Sequence, residues 1–202
     1  MKLYFNPLTR STRPRWMLEE LGVPYETASV DVMKGEQKHP AYMARVHPLG
    51  KVPALEDNGF MLIESAAIVM HLADKYPEKG LAPAAGSNER GEYYQWIFFV
   101  MTEAEPSLVT IFLNTQILPE DQRDPAAVAQ ATERFKPAAT VLQERLKGRE
   151  YIVGNTFTAA DVVVGGVLTL AHRVSRLGDF PGLQAYMGRM MERPAAKKAF
   201  GG

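Results

Sequence analysis

The hydrophobic pattern of this chain changes character once, across residues 77–87, PEKGLAPAAGS, and that change limits it to a fold of two unlike parts. Before it, short segments are punctuated by Gly and Pro. Residues 2–5 read as a strand, 6–11 as a loop, and 12–21 as a helix with Pro14 tolerated in its first turn and Gly22 as its stop. Residues 25–30 read as a second strand and 39–46 as a short helix. Two further strands, 54–56 and 61–63, flank Asp57-Asn58-Gly59, a strong hairpin turn, and 65–76 is helical. The order is β-α-β-α-β-β-α. Strand–helix alternation implies a parallel pair, and the hairpin adds an antiparallel one.

After the break every segment is helical: 88–117, with Pro106 a possible bend, then 125–147, 159–176, 181–191 and a short last helix opened by Pro194. The expected fold class is therefore α/β followed by all-α, with domains at 1–78 and 87–202 and a linker at 79–86. The helix from 159 is apolar nearly all round through Val162, Val163, Val164, Val167, Leu168 and Leu170, so it belongs at the centre of the helical part. Thr158 and Asp161 form a variant capping box at its start, with Phe157 able to staple onto Val162. Their reading is structural rather than catalytic.

Composition removes several chemistries. The 202 residues carry 23 Lys+Arg against 23 Asp+Glu, so no nucleic-acid partner is expected. Cysteine is absent, which excludes disulfides, thiolate metal sites and a protein thiol nucleophile. None of His39, His47, His71 and His172 pair four residues apart, and no metal site is expected. The phosphate loop, the dinucleotide fingerprint and the nucleophile elbow do not occur. The opening residues have no signal-peptide core and the apolar run 162–171 is too short to span a bilayer, so the expectation is a cytoplasmic protein with no membrane partner.

Two local features carry possible chemistry. Glu64-Ser65 lies between a strand and a helix. Ser65 as the cap, with free amides behind it, suits a carboxylate, and Glu64 suits an ammonium; together they fit the α-amino and α-carboxylate groups of an amino acid. The loop 7–13 sets hydroxyls at the start of another helix, where the dipole favours an anion. A plain cap beside a surface acid, and a plain polar loop, account for the same residues.

The stretches LYFNPLTRSTRPRWMLEELGVPYE, HPLGKVPALEDNGFMLIESAAIVMHLADKYP and NTFTAADVVVGGVLTLA together resemble the cytosolic glutathione S-transferases of the bacterial theta- or beta-like kind. The resemblance implies a thioredoxin-like N-terminal domain, an all-helical C-terminal domain, glutathione as co-substrate and a homodimer active in detoxification. It makes Val52-Pro53 the cis-proline segment that pairs with the cysteinyl moiety. It gives Glu64 and Ser65 the γ-glutamyl end, and Lys51 and Gln37 the glycine carboxylate.

In the first loop, where relatives carry Tyr, Ser or Cys, the beta-class Cys falls on Arg10 and the theta-class Ser on Thr9, with Ser11 the other hydroxyl in reach. Ser11 is slightly favoured as the group that holds the thiolate, because it adjoins the helix start. Arg10 could stabilise the thiolate or favour an anionic substrate. The thiolate would attack an electrophilic, apolar co-substrate lying against Trp96, Phe99, Met101 and Phe112, residues that core packing explains equally well. The aromatic-rich segment 93–99 could serve core or dimer interface. The rival readings are a non-catalytic binding or interaction module of the same fold and a glutathione-dependent disulfide reductase. A glutathione-assisted isomerase is a weaker rival, because its Ser-Ser-Cys-Ser type loop is missing.

Overall fold

A computed structural model describes residues 1–201 and divides into two compact units. The first comprises Met1–Ala82 and the C-terminal segment from Glu192; the second is Pro83–Met191.

The first unit is built on a four-stranded sheet of order β2-β1-β3-β4. Strand β1 (Lys2–Phe5) runs parallel to β2 (Glu26–Ser29) and antiparallel to β3 (Ala54–Asp57), which turns through Asn58 and Gly59 into β4 (Phe60–Ile63). Both turn residues have positive φ, 50° and 84°, as the tight hairpin predicted for Asp57-Asn58-Gly59 requires. Leu3 on β1 faces Leu55 on β3 in register. Helices α1 (Thr12–Leu21), α2 (Pro40–Arg45) and α3 (Ser65–Lys75) complete the predicted β-α-β-α-β-β-α order. Leu3, Leu55, Trp16, Leu18, Ile68 and Leu72 are fully buried, which joins sheet, α1 and α3 in one core.

In the second unit residues 88–117 are helical throughout, but not evenly so. Helix α4 (Asn88–Phe99) passes through a π-helical turn at Val100–Ala104 into α5 (Glu105–Phe112), and a second π-helical turn at Leu113–Ile117 ends the run. The first wide turn ends two residues before Pro106, the second residue of α5, and the widened backbone there accommodates a residue without an N–H. By length and composition alone this run is long and apolar enough to cross a membrane; 44% of its most apolar window is buried within the protein.

Helix α6 (Pro125–Leu146) packs on α5, and α7 (Ala159–Arg173) packs on α4, α5 and α8 (Pro181–Met191). As the sequence predicts, α7 is the central helix, buried from Ala159 to Leu168. Its capping box is closed: the Thr158 amide donates to Asp161 Oδ2 at 2.8 Å, and the Ala160 amide donates to Thr158 Oγ1 at 3.3 Å.

The last helix, α9 (Pro194–Phe200), departs from the sequence grouping. It packs on α1 and belongs to the first unit. Its anchors are an edge-to-face contact of Phe200 with Trp16, centroids 6.0 Å apart, and an ion pair between Arg193 and Glu20.

Candidate functional site

The candidate residues of the first unit cluster where the chain leaves β1, where it enters β3 and where α3 begins. Between β1 and α1 the loop is knitted by its own hydrogen bonds. Asn6 is buried; its side-chain amide donates to Val30 O at 2.8 Å and its Oδ1 accepts from the Leu8 amide at 3.0 Å. The Asn6 carbonyl accepts from the Thr9 amide at 3.2 Å and from the Thr9 hydroxyl at 2.9 Å. Thr9 Oγ1 lies 2.7 Å from Ser11 Oγ and accepts from the Ser11 amide at 3.2 Å.

The helix start differs from the sequence expectation. Ser11 takes α-helical dihedrals, φ −62° and ψ −21°, and makes no side-chain cap. The amides of Thr12 and Arg13 are consumed by the carbonyls of Thr9 and Arg10, so α1 presents no row of free N–H groups to an anion. Ser11 is wholly buried, Thr9 is half-buried and Arg10 is exposed. Of the two hydroxyls, Thr9 is the one within reach of solvent.

The start of α3 supplies the missing anion cradle. The cap position belongs to Glu64, not to Ser65 as the sequence suggests, and Glu64 makes no side-chain cap. Its φ of 70° is a conformation that residues other than Gly, Asn and Asp adopt at a cost of about 1–3 kcal/mol, a form of strain that collects at binding sites. Ser65, the first helical residue, is 2% exposed, and its Oγ accepts from Arg13 Nη1 at 3.4 Å. With that bond filled from the arginine, the Ser65 hydroxyl proton remains to be donated. Arg13 is itself buried, so a cation lies behind the uncapped turn.

Arg13 was not a candidate from sequence. The available signal was a charge four residues before Met17 and eight before Leu21, on the stripe that α1 buries.

The Val52-Pro53 peptide bond is cis, as the resemblance implies. The loop before it is pressed against residues 37 and 38. Gly50 has φ 56°, and a Cβ there would lie 2.6 Å from Gln37 O, so only glycine fits. Lys38 Nζ donates to Leu49 O at 2.9 Å, and the Tyr42 hydroxyl donates to Lys51 O at 2.8 Å, which fixes the backbone beside the cis bond. Burial, with Tyr4 nearby, pushes the Tyr42 phenol up to about 12.

Lys51 is exposed and suits a carboxylate. Gln37 gives one of its two Nε2 hydrogens to Val32 O at 3.3 Å, which leaves a second donor for a carboxylate, while its buried Oε1 has no partner among the described residues. His47 is nearly inaccessible and its Nδ1 accepts from the Leu49 amide at 3.2 Å. Burial lowers its pKa below the usual histidine value, Glu64 pulls it back up, and Lys51 and Lys38 push it down. His47 thus shares its electrostatic surroundings with the candidates Glu64 and Lys51.

In the second unit the four proposed wall residues have different surroundings. Trp96 is 6% exposed, with the Arg145 guanidinium 5.4 Å over its ring and Phe99 edge-on at 5.5 Å. The Phe112 ring is covered by Arg173 at 4.6 Å. Phe99 and Met101 are half-buried. The segment 93–99 is split by face: Tyr93, Trp96 and Ile97 are buried, whereas Tyr94 and Phe98 are 37% and 58% exposed. Among the described residues no three of His, Asp and Glu gather as a metal site.

Comparison with known proteins bears on both units. The model of the glutathione S-transferase N-terminal domain matches residues 1–74, and that of the C-terminal domain matches residues 125–189. The chain is 32% identical over 201 residues to glutathione S-transferase GstA of Escherichia coli O157:H7, covering 98% of this chain and 96% of that one. It is 33% identical to a sphingomonad glutathione S-transferase solved in complex with glutathione, with a TM-score of 0.86 over 100% and 98% of the two chains. A glutathione transferase from Phanerochaete chrysosporium, solved with oxidized glutathione, is 29% identical with a TM-score of 0.87 over 99% and 93%.

Proposed function

The chain belongs to the glutathione S-transferase family and takes glutathione as its co-substrate, and from that premise we propose that it joins the glutathione sulfur to an electrophilic, largely apolar small molecule. The observation that carries the reading is the start of α3, where Ser65 keeps a donatable proton, the turn has no side-chain cap and buried Arg13 stands behind it. That arrangement receives the γ-glutamyl carboxylate. The exposed carboxylate of Glu64 receives the ammonium beside it. The backbone of Val52 pairs with the cysteinyl group, and Lys51, joined by Lys38, takes the glycine carboxylate.

The chemistry then falls to the β1–α1 loop. A thiol of pKa about 8.5 is roughly 3% ionised at pH 7. Lowering that value by about 1–2 units requires about 1.4–2.7 kcal/mol of preferential thiolate stabilisation. A hydroxyl hydrogen bond is the means, and Thr9 is the accessible donor, with Arg10 adding positive charge nearby. The thiol proton passes to solvent. The sulfur lone pair forms a C–S bond, the bond to the leaving group breaks, and that group departs with its electron pair. Trp96, Phe99, Met101 and Phe112 are the contacts proposed for the apolar co-substrate, the Trp96 and Phe112 rings each lying under an arginine. Family membership supports a cytoplasmic homodimer engaged in detoxification.

Calorimetry tests the first step, with an expected dissociation constant between micromolar and low millimolar, about −4 to −8 kcal/mol. Turnover of glutathione with a chlorinated nitroaromatic tests the second. No heat at several-fold excess over that range overturns the reading.

A further inference from the structure

The hydrogen bonds around Thr9 have a direction. The Thr9 hydroxyl lies 2.9 Å from the Asn6 carbonyl, which can only accept, so the single Thr9 proton points at Asn6. The 2.7 Å contact between Thr9 Oγ1 and Ser11 Oγ must then be donated by Ser11. Ser11 is wholly buried and its hydroxyl has no other acceptor among the described residues, which requires the same direction. Thr9 Oγ1 also accepts from the Ser11 amide. It therefore gives one hydrogen bond and receives two, its full capacity.

In this state the accessible hydroxyl has no proton to offer a sulfur atom. We infer that Thr9 is a switched donor: its proton turns from the Asn6 carbonyl to the glutathione sulfur only when that sulfur is a thiolate, and Ser11 is the positioning residue that makes the turn possible. This rests on the glutathione-conjugating reading. A neutral thiol is a weak acceptor and cannot compete with a carbonyl; a thiolate is a charged acceptor and can. The Asn6 carbonyl released by the turn keeps the Thr9 amide at 3.2 Å, so no buried acceptor is orphaned. Through the turn Ser11 continues to donate to Oγ1 by hydroxyl and amide, which holds the oxygen in place and makes the Thr9 proton a better donor. The resting bond to Asn6 thus selects for ionised sulfur, and the selection appears as a lowered thiol pKa.

The test is the pH dependence of kcat/KM and of thiolate absorbance in the glutathione complex. Thr9→Val should raise the apparent thiol pKa by about 1–2 units. Ser11→Ala should raise it by a smaller step and leave the glutathione dissociation constant within about twofold, because Ser11 does not touch the ligand. In the Thr9→Val background Ser11→Ala should add nothing, the non-additivity expected of a residue acting through another. Thr9→Ser, which keeps the hydroxyl, should hold the pKa near the wild-type value and reports on the switch should Ser11→Ala fail to fold. A Ser11→Ala midpoint equal to wild type, an equal shift from Ser11→Ala with and without Thr9, or a Thr9→Ser variant as impaired as Thr9→Val each overturns the switch while leaving conjugation standing. A wild type that gives no heat with glutathione overturns both.

Discussion

Glu20 grips Arg193 with both carboxylate oxygens: Arg193 Nε donates to Oε1 at 2.6 Å and Nη2 to Oε2 at 2.8 Å. Oε1 also accepts from Trp16 Nε1 at 2.8 Å. The Glu20 side chain is 9% exposed and that of Arg193 30%, so the pair is only partly screened by water. It fastens α9 to α1, the helix that follows the β1–α1 loop.

Arg193→Met should therefore destabilise the first unit by about 1–2 kcal/mol, less than the loss of a fully buried charged hydrogen bond because the guanidinium is partly solvated. A lowered urea midpoint checks this. A midpoint unchanged at low salt would show that α9 is held by Phe200 and its apolar neighbours alone.

Asp161 sets a pH dependence in the second unit. It accepts from the Ile152 amide, the Thr158 amide and the Tyr186 hydroxyl, the last at 2.7 Å. Burial nevertheless pushes its carboxyl above the usual aspartate value, the hydrogen bonds opposing. A carboxyl whose folded pKa exceeds its unfolded one favours folding below the unfolded value, about 3.9, and loses that contribution as pH rises through the folded value. Asp161→Asn lacks this dependence. The stability gap between wild type and variant should narrow with rising pH across that window. Tyr186→Phe removes one donor to the carboxylate and should cost about 1–3 kcal/mol at neutral pH. Denaturant midpoints measured across pH decide both.

Ser65→Ala and Arg13→Met should each weaken glutathione binding about 10- to 100-fold, or about 1.4–2.7 kcal/mol, the scale of a charge-assisted hydrogen bond. Calorimetry reads it directly. Thr158→Ala, which costs the helical unit about 0.5–2 kcal/mol as a lost cap, should leave the dissociation constant alone and serves as the control.

His47 has the opposite sign to Asp161. Its pKa is lowered, chiefly by burial, so the stability it contributes is present above about 6.5 and is lost as pH falls through the folded value. His47→Asn retains an acceptor for the Leu49 amide without an ionisable ring. It should lose less stability than wild type between about pH 7 and about pH 5, as followed by thermal unfolding. Equal losses would mean that His47 is solvated in the native state.

The elements of both units were legible because their signals are local. The hairpin turn needs positive φ at Asn58 and Gly59, the Thr158–Asp161 cap spans three residues, and α7 announces its burial by its valines. The cis bond at Val52-Pro53 was legible through resemblance. What escaped depends on contacts across the fold. Ser11 looks like a helix cap until Thr9 takes its hydroxyl and the chain enters the helix a residue early. Arg13 and Ser65 are 52 positions apart, and Glu20 and Arg193 are 173 apart; no periodicity connects such pairs.

The return of α9 to α1 also fixes an order of completion during synthesis. The chain leaves the first unit near residue 82 and re-enters it only at residue 192, so the 109 residues of the second unit, 83–191, are translated in between. At about 5–20 residues per second this interval lasts about 5–20 s. Throughout it Trp16 lacks Phe200 and Glu20 lacks Arg193, and the helical unit, encoded second, has its whole sequence outside the decoding centre first. The unit that begins translation is the last to be finished, and ribosome-bound chains stopped short of residue 192 should carry a sheet domain whose α1 is still open on one side.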